Sequence, residues 1–367
     1  MLRAVFIVVI ALHGLIHLLG FAKAFGYAAL PQLVQPISPA RGLLWLGAAV
    51  LLVGSSAAVV LWPRGWWVLG LLALVASQWA IVTSWSDARI GTLANLLLLV
   101  GALYGFASRG PWSLRAEYEV RVEATRPEAS SEVLSEADLA PLPAPVQRYL
   151  RGAGVVGQPR PRALHASWKG RIRSDAASPW MAFTAEQVNT LDPPRRFFKM
   201  DATMKGLPVD VLHAFDEGGA TMRVKLLSAF TMVDAKGAEM TRAETVTLFN
   251  DLCILAPGAL VSRRVTWEPV DDRRARARFT LGANTVGAEL QFNEAGELSD
   301  FVSDDRSAGP PDGKTFTPMR WSTPLSRYAK VGPARVATRG DAVWHPASGA
   351  FAYGEFELVA LAYDVAP

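Results

Sequence analysis

Four long apolar runs, residues 4–22, 42–62, 66–85 and 90–107, fix what the first third of this chain can become. Each is about 18–21 residues long, the length at which an α-helix crosses roughly 30 Å of hydrocarbon. Inside a bilayer every backbone amide must be paired within its own segment, so such runs fold as helices. One acid, Asp87, lies in this stretch, at the edge of a run rather than within it. Trp62, Trp66, Trp67, Trp85 and Trp112 mark the run ends, where indole rings settle at headgroup level. The short links 63–65 and 86–89 predict tight antiparallel hairpins. A cleaved signal peptide is the rival reading of the first run. The run's length, His13 and His17, and the want of a small-residue cleavage site before Lys23 all weigh against it.

Composition matters here because the two parts of the chain differ. Six of the 37 Lys and Arg, but only one of the 33 Asp and Glu, fall in residues 1–110, so the net charge of +4 belongs to the membrane part. The remainder is close to neutral and carries no clustered positive charge of the kind nucleic acid requires. The one cysteine, Cys253, excludes an internal disulfide and a cysteine-rich metal site. Four spans place both ends of the bundle on one side, with Arg3, Arg64, Arg109 and Arg115, against Lys23, Arg41 and Arg89 on the other. The positive-inside rule then favours a cytoplasmic soluble domain, by a narrow margin, in a bacterial inner membrane.

His13 and His17 are four apart and share one helix face. Interhelical hydrogen bonding or packing is the bland reading, and a metal site the sharp one, since ionisable groups inside a membrane are functional candidates by default. A metal needs a third ligand, and Asp87 is the only carboxylate nearby. Haem is excluded because no other span supplies an opposite histidine. No cofactor is expected.

The sequence divides into a four-span domain (1–110), a junction (111–145) and a soluble β-rich domain (146–367). In the junction, residues 115–124 alternate, with Ala116, Tyr118, Val120, Val122 and Ala124 on one face and charges on the other, which predicts a strand. Residues 126–145 read as loop, and 144–151 as a short helix stopped by Gly152. Beyond residue 164 come repeated period-two runs. Phe198, Met200, Ala202 and Met204 face one way, with Lys199, Asp201 and Thr203 opposite; Ala275, Ala277 and Phe279 alternate with Arg274, Arg276 and Arg278. Turn residues separate the runs. The expected fold is an antiparallel curved sheet or half-barrel of about ten strands with one wet face. One helix interrupts it, from Thr241 to about Ala256, opened by the capping box Thr241-Arg-Ala-Glu244 and carrying an apolar stripe of Leu248, Phe249 and Leu252. One such helix cannot cover ten strands well, so either the sheet curls or an apolar cavity remains.

Candidate site residues follow from that cavity. Phe183, Met200, Met204, His213, Phe249, Trp267 and Trp321 are apolar-face positions for a hydrophobic ligand, and Arg320 is a candidate for an anionic headgroup. His213 reads equally as a satisfied core histidine. Glu244, Asp304, Asp305 and Arg306 form the polar candidates. Against catalysis, Glu244 has a capping role, and adjacent carboxylates on a strand point to opposite sides. No nucleophile elbow, phosphate loop, dinucleotide fingerprint or His-Glu-x-x-His run is present.

The runs Ala11-Leu-His-Gly-Leu-Ile-His17 and Asp87-Ala-Arg-Ile-Gly-Thr92 resemble the membrane part of an uncharacterised bacterial multi-pass membrane-protein family. Trp180-Met-Ala-Phe-Thr-Ala-Glu-Gln187, Glu244-Thr-Val-Thr-Leu-Phe-Asn-Asp251, Ser303-Asp-Asp-Arg306 and Arg320-Trp-Ser-Thr-Pro324 resemble its soluble part, a domain of unknown function. The resemblance brings no activity and no site residues. In outline alone, a many-stranded curved sheet with a helix on its concave side is similar to LolA/LolB-type lipoprotein carriers. Three functions stand open: a membrane-anchored binder of lipid or another hydrophobic ligand, an envelope interaction module with a protein partner, and a hydrolase using the carboxylates named above.

Overall fold

The apolar runs fold as helices in a computed structural model, whose described residues are 2–125, 132–309 and 315–364. By internal contacts the chain forms two units, residues 1–117 and 118–367. The first holds α1 (Leu2–Ala24), α2 (Pro39–Leu61), α3 (Trp66–Thr83), the single turn α4 (Trp85–Ala88) and α5 (Gly91–Arg109). Four helical stretches there are long and apolar enough to cross a membrane. Ser38 in extended conformation followed by Pro39 starts α2: Pro39 has no N–H to leave unpaired, and Ser38 Oγ accepts the Arg41 N–H. Val8, Leu12 and Ile16 form an exposed stripe on α1, the face suited to lipid, while Ile10, His13 and His17 are buried. Small residues let the helices close. A Cβ on Gly20 would stand 2.2 Å from the Trp45 ring, and one on Gly105 would stand 2.8 Å from Trp66. Packing of this kind, not water exclusion, holds helices together in lipid.

Residues 115–124 are not a strand. They lie in α6 (Leu114–Glu123), where Leu114, Tyr118 and Val122 are buried and Val120 is 69% exposed. An alternating pattern places apolar residues at i and i+4 as well as at i and i+2, so it fits a helix stripe equally. Arg121 pairs with Asp216 at 2.5 Å and lies over the Phe197 ring, which ties the end of α6 to the β unit. Of the expected loop at 126–145, residues 126–131 lie outside the described set. The rest contains α7 (Glu136–Leu139), capped by Ser135 and Asp138, and the start of α8 (Ala144–Gly152).

The β unit opens with a meander: β1 (Ala163–Ile172), β2 (Met181–Leu191), β3 (Pro194–Met204), β4 (Leu207–Asp216), β5 (Gly219–Leu226) and β6 (Phe230–Lys236). The β3–β4 hairpin turns on Lys205 and Gly206, both at positive φ, the conformation that matches strand twist. Then come α9 (Ala238–Leu255) and a 3₁₀ turn, followed by β7 (Val265–Asp271), β8 (Arg274–Leu281), β9 (Asn284–Phe292) and β10 (Leu298–Ser303). The chain ends through β11 (Ser307–Ala308), β12 (Thr317–Pro318), β13 (Trp321–Ser322), β14 (Leu325–Val331), β15 (Ala334–Trp344) and β16 (Phe351–Tyr363).

Among the described residues, fourteen strands form one antiparallel sheet in the order β6-β5-β4-β3-β2-β1-β16-β15-β13-β10-β9-β8-β7, with β14 on β15. The expected ten fell short because the short β13 and the pair β14–β15 lack a clear alternation. The last strand returns to pair with the first, Leu164 opposite Tyr363, so the two meanders join at the centre. α9 connects the two edge strands, β6 and β7. It touches β5 and β6 on one side and β9, β10 and β15 on the other. Strands from opposite ends of the order thus flank one helix about 10–12 Å thick, and the sheet curls around it as a half-barrel.

The capping box at Thr241 does not form. Gly237, at φ +103°, turns the chain one turn earlier than the motif predicts. Thr241 instead bonds Gly237 O at 2.9 Å and accepts the Ala220 N–H at 3.0 Å. This frees Glu244 from the helix end and carries it inside. Almost every face of α9 is buried, including Glu244, Asn250 and Asp251, in place of the expected single apolar stripe. The main core packs around Phe249, Phe279 and Phe301. A smaller cluster of Phe183, Ala185, Phe198, Met200, Ala202 and Val209 lies on the meander.

Candidate functional site

A cavity of about 450 Å³ remains between α9 and the concave face of the sheet. Its meander wall comes from alternate residues of adjacent strands: Phe198, Met200 and Ala202 on β3, Val209 and Val211 on β4, Met222 and Val224 on β5. The period of two in a strand places these on one face, and cross-strand pairing stacks Met200 opposite Val211 and Val211 opposite Val224. Met240, Ala243 and Ile254 of α9, with Phe316, Trp321, Trp344 and Phe356, complete the apolar lining.

One part of the wall is charged. Glu244, Thr247 and Asp251 stand at i, i+3 and i+7 on α9, a single helix face, and all three line the cavity. Arg196 on β3 meets two of them, donating from Nη1 to Glu244 Oε2 at 3.1 Å and from Nε to Asp251 Oδ2 at 2.7 Å. Asp251 also accepts from Gln187 Nε2 at 2.7 Å and Asn189 Nδ2 at 3.0 Å. Glu244 Oε1 lies 3.2 Å from His213 Nδ1. Asn250 donates to Thr323 Oγ1 at 2.7 Å. Buried charges persist only when paired and hydrogen-bonded in this way. Burial alone pushes the Glu244 carboxyl up, but the charges of His213 and Arg196 outweigh it and hold the group down at about 2. Cys253 on the same helix is buried in the core, and burial pushes its thiol well up, which leaves it inert.

Of the residues singled out in the sequence, Met200, His213, Glu244, Arg306 and Trp321 line the cavity. The others lie elsewhere. Phe183 is buried against Phe356, ring centroids 5.2 Å apart, and Met204 packs at the margin of the same cluster. Phe249 is fully buried, stacked on Phe279 at 5.3 Å. Trp267 packs on β7 against the main core. Arg320 is spent on the surface in a two-pronged pair with Asp304, at 2.7 and 2.8 Å. Asp305 pairs with Arg242 and accepts the Gly287 N–H. Glu244, Asp304 and Asp305 therefore each hold a different cation and form no common acid group.

Arg196, Gln187 and Asn189 were missed. Arg196 sits two residues before Phe198, so the alternation that put Phe198 inward also put Arg196 inward. Gln187 and Asn189 extend the face of Ala185 in the same way. Polar residues that obey the apolar register were the available signal.

In the bundle, His13 and His17 meet a buried polar cluster. His13 Nε2 lies 3.1 Å from Asn95 Oδ1 and 3.2 Å from Ser77 Oγ. His17 Nε2 lies 3.0 Å from Ser77 Oγ, and its Nδ1 is 2.9 Å from the His13 carbonyl oxygen. Asn95 donates onward to Gln78 Oε1 at 3.0 Å. Asp87 is not part of this cluster; it accepts the Gln35 N–H at 2.8 Å.

Residues 132–356 match a family of unknown function (DUF6544). Comparison with curated proteins finds no match. Among solved structures, the chain is similar to a DUF1329 family protein from Desulfovibrio piger at 12% identity, covering 56% of this chain and 88% of that one, with a TM-score of 0.36. It is similar to a domain from Vibrio parahaemolyticus assigned to outer membrane lipoprotein sorting, at 9% identity, 55% and 85% coverage and a TM-score of 0.34. It is also similar to a LolA superfamily protein from Nitrosomonas europaea, at 10% identity, 64% and 96% coverage and a TM-score of 0.27. The outline likeness to LolA-type proteins is thus found, as partial superpositions.

Proposed function

We propose that this chain, which belongs to the DUF6544 family of unknown function, is a membrane-anchored binding protein for a lipid or another hydrophobic molecule, held between α9 and the concave sheet. The observation that carries this reading is the cavity itself. Its volume of about 450 Å³ falls within the range of small-molecule sites, on the order of 300–1,000 Å³. Its wall is mainly apolar, with a small number of polar and charged groups set into it, the make-up of a site for an amphipathic guest. Apolar surface left facing such a space is stabilised by about 25 cal/mol per Å² when a hydrophobic guest covers it. The four apolar helices keep the domain beside a bilayer, the natural source of such a guest. The charge balance of the loops favours the cytoplasmic side of an inner membrane, which a C-terminal reporter fusion checks.

The separate pairing of Glu244, Asp304 and Asp305 supports binding over hydrolysis. A cavity with a mainly apolar wall, in place of the flat exposed patch of an interaction module, also supports this reading. Native mass spectrometry of the full chain tests the proposal. Wild-type protein is expected to retain a lipid that Val211→Trp, which fills the cavity, loses, while both melt at similar temperatures. Equal retention by the two proteins, or no retained lipid in either, sinks the reading.

A further inference from the structure

We propose that the cavity ligand is an amphipath with an anionic head, a carboxylate or phosphate on a long apolar tail, and that Arg306 binds this head; the inference rests on the cavity being a ligand site. Arg306 follows β10 and lines the cavity. Its guanidinium carbon lies 4.2 Å from the Trp321 ring centroid and 5.5 Å from that of Trp344. Its Nε is buried and has no hydrogen-bond partner. Among the described residues, no carboxylate forms an ion pair with Arg306. The acids around it are held by others: Asp304 by Arg320, Asp305 by Arg242, Glu244 by Arg196 and His213. Arg306 also helps hold the Glu244 carboxyl down, but less than His213 and Arg196 do.

Arg306 is half-buried, and a buried guanidinium N–H left without an acceptor is costly. Its guanidinium carbon stands over both indole rings, contacts that use none of its N–H groups. That leaves the edge, where the N–H groups form a planar fork that matches a carboxylate or phosphate with two parallel bonds. Ser307 and Thr323 stand on the same wall and offer hydroxyl donors. Phe316, Leu325 and Met240 continue it as apolar surface for a tail. An oxyanion at the Arg306 edge and a chain along the meander wall would satisfy both parts of the cavity at once.

The test is competition binding to the full chain in amphipol, with an environment-sensitive acyl probe and four competitors: hexadecanoate, hexadecyl phosphate, hexadecanol and acetate. Wild-type protein is expected to bind either anion about tenfold or more tightly than the alcohol. In Arg306→Gln that preference disappears while hexadecanol binding is kept, and Arg306→Lys restores part of it. Acetate does not compete at the same concentrations. Equal wild-type affinity for acid and alcohol overturns the inference and leaves the cavity reading standing, as does a preference that survives in Arg306→Gln. Effective competition by acetate shows a site for small free anions and overturns the amphipath. Binding of neither long-chain ligand overturns the cavity reading itself. If Arg306→Gln does not fold, Arg306→Lys carries the test: it is expected to weaken both anions relative to wild type while hexadecanol binding is kept, and an unchanged anion preference overturns the inference.

Discussion

The bundle and the β unit each bury a polar cluster among apolar side chains, and each includes a histidine. In the bundle the members are His13, His17, Ser77, Asn95 and Gln78, drawn from α1, α3 and α5. No carboxylate or guanidinium takes part, and each group turns to another in the cluster. In the β unit the members are Arg196, Glu244, Asp251 and His213, with Gln187 and Asn189 as amide donors. Here the bonds carry full charge, and the group lies on a cavity wall. The difference is physical. A lipid-embedded bundle has no water to offset a stray charge, so hydrogen-bonding side chains close on themselves and serve as interhelical glue. A curled sheet can surround an arginine with several acceptors, and what it leaves open faces a space rather than a neighbouring helix.

The sharpest way to break this contrast is Arg196→Met. It leaves Glu244 and Asp251 buried without their shared cation, and loss of one partner of a buried pair costs about 3–5 kcal/mol. Thermal unfolding of the β unit is expected to fall accordingly, while the helical signal of the bundle persists. Acid separates the two clusters next. Glu244 is held at about 2, below its ordinary 4.5, so it contributes stability that is fully present above pH 4.5. That contribution is lost as pH falls from 4.5 towards 2. Denaturant unfolding across this window should show a steep loss for the β unit and a shallower one in Glu244→Gln, with no matching change from the carboxylate-free cluster of the bundle. The smallest effect is expected from Ser77→Ala. It removes the hydroxyl shared by His13, His17 and Asn95, and hydrogen bonds between membrane helices are worth about 0.6–2 kcal/mol. Titration with a denaturing detergent should show that loss in the bundle alone. If Ser77→Ala costs more than Arg196→Met, the contrast drawn between the clusters is wrong.

Local pattern did not reach equally far in the two regions. His13 and His17 were legible as a shared helix face; Ser77 and Asn95 are polar residues within apolar runs, but only the packing of α3 and α5 makes them their partners. Glu244 was misread, because the Thr241–Glu244 spacing of a capping box also occurs inside a helix, and only the turn at Gly237 decides where the helix starts. Arg196 went unread, although it kept the register of Phe198, because a polar residue at a strand end is ordinarily solvated. Arg306 was legible only as one polar candidate beside Asp304 and Asp305; its contact with both Trp321 and Trp344 depends on the pairing of β13 with β15.

The sequence by itself determined the four long apolar helices, since length and apolar content suffice where backbone amides must pair within their own segment. It determined the alternating strands for the same local reason, that side chains on a strand point to opposite faces with a period of two. Only the tertiary structure decided that residues 115–124 form a helix, that α9 runs buried between the sheet edges, and that Glu244, Asp251 and Arg196 meet beside an apolar cavity. Those outcomes depend on how far the sheet curls and on what it curls around. No local period records that, because it is set by pairing β16 with β1 across nearly 200 residues of chain.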